Sequence, residues 1–220
     1  MSDVIQKYED IISSIKSKLE NKEIESFPKI IAVTKTFKLD KVQPLLDYGH
    51  IDFGENKVQE AIEKWTDVKL KKPNIKLHLI GKLQTNKVKF ALQLFDYIHS
   101  VDNKKLAKKI SDEEIKQNKK IKIFIQVNIG KEEQKSGIDP SNLLDLYNYC
   151  KELDLNVVGL MCIPPFNEEP DKYFKEMKNL SEKLSLAELS MGMSSDYLNA
   201  ALNSSTYLRI GTGIFGKRTK

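Results

Sequence analysis

The sequence predicts an α/β protein and, within that class, a closed (β/α)8 barrel, and three observations support this. Short apolar runs alternate with amphipathic segments along the 220 residues. Eight such runs are found, and nearly every one is followed by a helical pattern, as in a parallel barrel. Residues 121–125 are apolar at all but one position, which is typical of a strand buried on both faces. An open doubly wound sheet is the alternative.

The helices are predicted from apolar residues that recur every three or four positions. Ile11, Ile15 and Leu19 share one face of a helix over residues 4–19, which precedes the first strand. The same spacing predicts further helices over residues 39–48, 56–65, 86–94, 104–117, 140–153, 171–184 and 197–201.

The strands are predicted from the short apolar runs that lie between these helices. Each run is too short for a helix of ordinary length, and most lie between two helical patterns. The predicted strands cover residues 29–34, 51–54, 76–80, 97–101, 121–127, 157–161, 188–191 and 207–210. We therefore expect one domain over residues 1–220, with Pro164 and Pro165 in a loop after the sixth strand.

Charge and composition argue against a nucleic-acid-binding or membrane protein. The chain carries 36 Lys and Arg against 31 Asp and Glu, and the lysines are interleaved with acidic residues. This predicts a solvated surface without a basic patch. No apolar stretch approaches the roughly 20 residues that cross a bilayer, and no signal core is present. Cys150 and Cys162 lack metal or redox spacing, so we expect a reduced, cytoplasmic protein. No obvious exposed apolar interface argues against a monomer, which is the state we expect.

Two cations lie where the sequence predicts buried strands. Arg209 interrupts the apolar run at 207–210 and is one of two arginines, the other being Arg218 in the C-terminal tail. Lys35 closes the first predicted strand. A buried guanidinium costs several kcal/mol to desolvate unless acceptors surround it. The two strand ends therefore predict a site for an anionic, planar ligand.

The loops after the seventh and eighth strands contain residues suited to binding phosphate. In barrels, the phosphate site is often built from these two loops. Glycine lets backbone N–H groups approach the anion, and hydroxyl groups add donors. The alternative is that Ser194 or Ser195 is an ordinary helix N-cap. With Gly211 and Thr212 in the neighbouring loop, we favour phosphate binding, and we expect Asp196 to point away and cap the helix.

A third feature is the position of Lys35 at the mouth of the barrel. The alternative is a lysine that extends from the strand end into solvent. An amine partly withdrawn from water is easier to deprotonate, as a Schiff base with a carbonyl cofactor requires. A reactive lysine, a phosphate clamp and an arginine for an aromatic nitrogen together describe a pyridoxal phosphate (PLP) site.

Several segments carry a resemblance to a known family. They are residues 31–36, 53–60, 78–87, 159–161, 189–196 and 209–216, and they extend from the first strand to the last turn. The chain resembles the PLP homeostasis proteins, also called the YggS/PROSC family. Thr34 and Phe37 are local departures next to Lys35, and neither removes a residue with an implied role.

The resemblance implies a fold, a cofactor and partners. The fold would be similar to the barrel domain of alanine racemase. Members are thought to buffer, store or deliver PLP and to influence amino-acid and keto-acid balance, so the partners would include apo forms of PLP-dependent enzymes. The implied cofactor contacts are a Schiff base on Lys35, the pyridine nitrogen facing Arg209, the phosphate held by Ser194, Gly211 and Thr212, and the ring near Asn56.

The residues leave three functions open. We expect a non-catalytic PLP carrier, with a small PLP-dependent racemase or lyase as the alternative and an aldolase-like enzyme as the third. A racemase needs acid/base groups on both faces of its substrate, and Lys35 accounts for one face only. The expectation also rests on the absence of a second domain after the eighth strand.

The three histidines are expected to be structural. His78 could point into the barrel, but we favour the alternative that it pairs with a backbone carbonyl. His50 and His99 are predicted in loops or at strand ends. No cluster of His, Cys and carboxylate side chains in the sequence suggests a metal site.

Overall fold

The fold is described by a computed structural model that covers residues 2–20, 22 and 26–217. Arg218 and the other residues of the extreme C-terminus lie outside the described residues.

Eight parallel strands close into a barrel, which confirms the predicted (β/α)8 fold. The strands follow chain order around the barrel, and β8 pairs with β1 to close it. This closing pair excludes the open sheet. The strands are β1 (Lys29–Val33), β2 (Asp52–Glu55), β3 (Lys76–Leu79), β4 (Tyr97–Val101), β5 (Lys122–Val127), β6 (Asn156–Cys162), β7 (Glu188–Ser190) and β8 (Tyr207–Ile210).

Helices surround the barrel, and most of them lie between successive strands. The first helix packs against α2, α8 and α9, so it covers the seam where β8 meets β1. The helices are α1 (Asp3–Leu19), α2 (Leu39–Asp47), α3 (Val58–Lys71), α4 (Val88–Leu94), α5 (Lys104–Gln117), α6 (Leu143–Glu152), α7 (Asp171–Lys183), α8 (Tyr197–Leu202) and α9 (Thr212–Phe215).

Two helices differ from the prediction. Helix α3 begins at Val58 and continues to Lys71 instead of ending at Trp65. The added turns are largely polar and solvent-facing, so apolar periodicity does not reveal them. Helix α9 was missed because Gly211 and Gly213 indicated a turn. The helix forms because Ile214 and Phe215 are buried, and the Phe215 ring packs 5.3 Å from that of Phe37.

The hydrophobic core has two separate parts. The larger lies between the strands and the surrounding helices and includes the fully buried rings of Trp65 and Phe174. The smaller contains residues of five different strands that contact one another, so it fills the barrel interior. Its members are Ile31, Tyr97, Phe124, Met161 and Tyr207. His78 and His99 stack on Tyr97 and Phe124, which places both histidines in the same interior.

None of the helices that the structure describes combines the length and apolar character needed to cross a membrane.

The pairing of β6 with β7 predicts a position that requires glycine. A Cβ atom on Gly159 would lie 1.9 Å from the backbone carbonyl oxygen of Glu188. We expect Gly159→Ala to lower the free energy of unfolding in urea by about 2–3 kcal/mol, because the strands must separate. Gly49→Ala is the control, since its Cβ meets nothing within 4 Å and only the φ of 94° opposes it. A Gly159→Ala loss no larger than the control's would contradict the pairing.

Candidate functional site

All seven residues predicted to bind the cofactor line one cavity of about 290 Å3. The cavity lies at the carboxyl ends of the strands, because its lining residues lie at the ends of β1, β2, β3, β6, β7 and β8 or within five residues after them. The seven residues are Lys35, Asn56, Ser194, Ser195, Arg209, Gly211 and Thr212. Their shared position follows from the barrel, which brings distant segments to one end.

The remaining lining residues were not found by sequence analysis. They are apolar or aromatic: Val33, Phe37, Ile80, Ile163 and Met193. Their composition alone gives no signal for binding. Their positions do give a signal, because each of these residues lies within two residues of a strand end or of a predicted site residue.

A larger cavity, of about 390 Å3, lies at the amino ends of the strands beside Tyr8, Lys29 and His50. In barrels of this type, chemistry is located at the carboxyl ends. The smaller cavity also contains both cations singled out by the sequence. We therefore take the 290 Å3 cavity as the candidate site.

Arg209 is held in place by two neutral oxygen atoms. Its Nη1 donates to Ser190 Oγ and its Nη2 to the Cys162 carbonyl oxygen, both at 2.8 Å. The residue is 4% exposed. Burial lowers the pKa of Arg209, and the nearby negative charge of Asp196 opposes this shift. A guanidinium stays protonated in proteins, so Arg209 is a charged, donor-only group at the cavity wall.

Lys35 projects from a turn that hydrogen bonds hold on both sides. Before it, the buried Thr34 donates from Oγ1 to Glu55 Oε1 at 2.6 Å. After it, Thr36 has a φ of 67° and its backbone N–H donates to Glu60 Oε1 at 2.5 Å. A β-branched residue at positive φ is strained by about 1–3 kcal/mol. The strained turn persists because the neighbouring carboxylates hold it.

A nearly buried ion-pair network connects these carboxylates. Lys64 Nζ donates to Glu55 at 2.8 Å, to Glu60 at 3.2 Å and to the Thr34 carbonyl oxygen at 2.8 Å. Trp65 Nε1 adds a bond of 2.9 Å to the same Glu55 oxygen. Lys64 is 9% exposed and Glu55 is fully buried, so solvent screens these contacts little. The network fixes the backbone from which Lys35 reaches the cavity.

The loops after β7 and β8 are connected through Ser194. Its Oγ accepts a hydrogen bond of 3.1 Å from the backbone N–H of Gly213. Gly192 starts the first loop at a φ of 91°, where a Cβ would lie 2.5 Å from Ala200 Cβ. Only glycine fits both the backbone conformation and the space.

The expected role of Asp196 is wrong. The residue occupies the N-cap position of α8, but its side chain makes no capping bond to that helix. Instead, Asp196 Oδ1 accepts from the backbone N–H of Met193 at 2.6 Å. The carboxylate therefore closes the loop that carries Ser194 and Ser195, a role that the N-cap pattern does not distinguish from capping.

Asn56 contributes a polar atom that is ready for a ligand. Its Oδ1 is buried and has no hydrogen-bond partner among the described residues. A buried acceptor without a partner costs about 1–3 kcal/mol, which a donor on a ligand would recover. The backbone at Gly81 passes close to Asn56: a Cβ atom on Gly81 would lie 2.3 Å from the Asn56 carbonyl oxygen. The polar groups that line this cavity, including the Asn56 acceptor, thus fit a polar ligand.

The histidine predictions are partly wrong. His78 bonds to Asp52 and His99, each at 3.0 Å, and not to a backbone carbonyl. His99 lies in the middle of β4, fully buried in the barrel interior. His50 lies in the loop before β2, as expected. A single sequence does not show which strand residues point inward when the strand is buried on both faces.

The cavity has no metal-type character in the part of the chain that the structure describes, where no group of three His, Cys, Asp or Glu could hold a metal ion. Cys150 and Cys162 are free and buried, and burial raises the pKa of each thiol to about 12. Neither thiol is suited to act as a nucleophile.

Sequence comparisons relate this chain to known proteins. Residues 13–219 match the family model described as alanine racemase, N-terminal domain. A PLP homeostasis protein of Aquifex aeolicus is 39% identical over 204 residues, which are 88% of this chain and 89% of that protein. A human protein of the same name is 36% identical over 212 residues, covering 87% of this chain and 77% of that one.

Solved structures are also similar to this chain. PipY of Synechococcus elongatus, solved with PLP bound, is 32% identical with a TM-score of 0.81, over 92% of this chain and all of that one. An alanine racemase of Clostridium difficile is 14% identical with a TM-score of 0.71, over 95% of this chain and 56% of that one, which shows the fold alone. The family model and the relatives together cover most of the sequence, and the chain belongs to the pyridoxal phosphate homeostasis protein family.

Proposed function

We propose that this protein binds PLP as a Schiff base on Lys35 and serves PLP homeostasis by buffering or delivering the cofactor. The observation that carries the proposal is the single cavity that Lys35, Arg209 and the two glycine- and serine-containing loops share. The relatives named as PLP homeostasis proteins and the PLP-bound PipY structure support it.

Each part of PLP has a suitable group in the cavity. PLP supplies an aldehyde, with which a lysine amine forms a C=N bond and releases water. Lys35 is the amine that lines the cavity. Arg209 donates hydrogen bonds and so suits an unprotonated pyridine nitrogen, and Asn56 lines the same cavity. The phosphate is assigned to Ser194, Ser195, Gly211 and Thr212.

The cavity size agrees with a small ligand. Pockets for small molecules and cofactors have volumes of about 300–1,000 Å3, and this one, at about 290 Å3, is near the lower limit. Apolar side chains such as Ile80 and Met193 would contact the ring faces, while the polar groups fix its orientation.

The lining favours binding over catalysis. Among the described residues that line the cavity, Lys35 and Arg209 are the ones that carry ionisable side chains. Arg209 donates only, so it cannot serve as a base. A racemase or lyase needs a second acid/base group, and this supports the carrier over the enzyme.

We further propose that residues 1–220 act as one PLP-binding unit, as a monomer in the cytoplasm. Two free, buried cysteines agree with a reducing compartment. The recipients of the cofactor would be apo forms of PLP-dependent enzymes, which need PLP released from this cavity.

The assignment of Lys35 predicts a specific covalent adduct. After incubation with PLP and reduction with borohydride, peptide mass spectrometry should find the reduced cofactor on Lys35. Lys35→Ala should lose the adduct and the visible absorption band. Lys57→Ala is the control, because Lys57 is exposed and near the same cavity wall, and it should be labelled normally. A full adduct in Lys35→Ala would contradict the assignment.

The carrier proposal predicts an outcome in deuterium oxide. The PLP-loaded protein should exchange the α-hydrogen of free amino acids no faster than PLP alone, because the lining offers no second base. NMR of the amino acid after incubation measures this exchange. Brisk exchange that depends on Lys35 would instead establish the racemase or lyase alternative.

The strained turn predicts a role for Glu60 outside the cavity. Without its carboxylate, the Thr36 N–H loses its acceptor and the turn can relax, so we expect Glu60→Ala to weaken PLP binding by on the order of 5-fold. Absorbance titration measures the dissociation constant.

Two variants serve as controls for Glu60→Ala. Glu63→Ala removes an exposed carboxylate from the same helix and should bind normally. Adding Thr36→Gly to Glu60→Ala should restore part of the affinity, because glycine adopts positive φ without strain. Equal effects of Glu60→Ala and Glu63→Ala would refute this role.

A further inference from the structure

A continuous chain of hydrogen bonds crosses the barrel interior and ends at Arg209. Asp52, at the start of β2, contacts His78 Nε2 at 3.0 Å, and His78 Nδ1 contacts His99 Nε2 at 3.0 Å. His99 Nδ1 contacts Ser190 Oγ at 2.8 Å, and Arg209 donates to the same oxygen at 2.8 Å. The chain runs from the amino end of the barrel to the cavity at the carboxyl end.

The chemistry of its two ends fixes the direction of every bond. A guanidinium can only donate, and a carboxylate can only accept. Burial lowers the pKa of both histidines, most strongly that of His99. With both rings neutral, one pattern satisfies all five groups. Arg209 donates to Ser190, Ser190 to His99 Nδ1, His99 Nε2 to His78 Nδ1, and His78 Nε2 to Asp52.

This polar interior is costly and unusual. Barrel interiors are mostly filled by branched aliphatic side chains. Here, His78, His99 and Ser190 are fully buried, and each would be destabilising without hydrogen bonds. The chain satisfies them only as a whole, because each group depends on its neighbour for a partner. Arg209 is the end of this chain of hydrogen bonds that borders the ligand cavity.

The carboxylate of Asp52 sets the direction of the hydrogen bonds because it can only accept. An amide at this position could also donate, so the direction would no longer be fixed. The amide N–H of an asparagine could donate to His78 Nε2, which would move the hydrogen of each ring to Nδ1. His99 would then donate to Ser190 Oγ. Ser190 Oγ would then accept from both His99 and Arg209, and its own hydroxyl hydrogen would lose His99 Nδ1 as its acceptor. The two donors would share the oxygen that holds the guanidinium, and the contact with Arg209 would weaken.

We propose that Asp52 is a positioning residue for Arg209, and that it acts through His78, His99 and Ser190. The carboxylate keeps His99 Nδ1 as the acceptor of the Ser190 hydroxyl, so that within the chain Ser190 Oγ accepts from Arg209 and not from His99. Ser190 thereby holds the guanidinium in the orientation that meets the ligand. This inference rests on the proposed function, because it takes PLP as the ligand of Arg209. It assigns a role in ligand binding to a residue at the opposite end of the barrel from the cavity.

The first test needs no ligand. With 15N-labelled histidine, NMR of the apo protein should show hydrogen on Nε2 of both His78 and His99. The Asp52→Asn variant should show hydrogen on Nδ1 in part or all of the molecules. Ser190→Ala should keep the wild-type pattern, because Asp52 still sets it. Nδ1–H on either ring in the wild-type protein would overturn the proposal.

The second test measures PLP affinity by absorbance titration. Asp52→Asn should weaken binding by on the order of 5-fold and shift the visible band, since the contact with the ring changes. Ser190→Ala should weaken binding similarly. In the double variant the two effects should not add, because both act through one chain. Asp67→Asn removes an exposed carboxylate from α3 and should bind as the wild type does.

The outcomes separate this inference from the proposed function. A wild-type protein that does not bind PLP would refute the proposed function, and the NMR test would still decide the direction of the chain. Wild-type binding with full affinity in Asp52→Asn, or fully additive effects in the double variant, would overturn the inference. If Asp52→Asn does not fold, Ser190→Ala carries the affinity test, and wild-type affinity there would overturn it.

Discussion

The pairing of β8 with β1 is the constraint on which the rest of the structure depends. It sets Ile31 beside Arg209 and Ala32 beside Ile210. Lys35 and Gly211 therefore emerge at the same end of the barrel, although they lie near opposite ends of the chain. Without this closure, Lys35 and the loop that begins at Gly211 would not share a cavity. Helix α1 stabilises the closure by packing over the seam.

The barrel interior combines packing with polar order. Tyr97, Phe124 and Tyr207 supply apolar contact area, while a chain of hydrogen bonds with one fixed donor-to-acceptor direction ends at Arg209. An all-aliphatic interior would be easier to bury, but it would leave the guanidinium without Ser190 as an acceptor. The turn at Lys35 is likewise held by groups outside the cavity, since Glu55, Glu60 and Lys64 keep a strained backbone in place. Both cations of the cavity thus depend on groups that do not line it.

Much of this could be predicted from the sequence, and the failures have physical causes. The short apolar runs between amphipathic segments located all eight strands, and the position of Arg209 in an apolar run led to the cavity. Helix α9 was missed because local glycine signals opposed it and only tertiary burial of Ile214 and Phe215 reveals it. The environment of His99 and the loop contact of Asp196 depend on neighbours far along the chain. The apolar cavity walls, such as Met193, carry no signal of their own.

The central claim is that one cavity at the carboxyl end holds PLP between Lys35, Arg209 and the loops after β7 and β8. A crystal structure of the protein grown with PLP tests it most directly. The account predicts continuous density from Lys35 Nζ to the ligand, the pyridine nitrogen within hydrogen-bond distance of Arg209, and the phosphate against Ser194 and Thr212. Ligand density confined to another lysine, or to the cavity beside Tyr8 and His50, would contradict it.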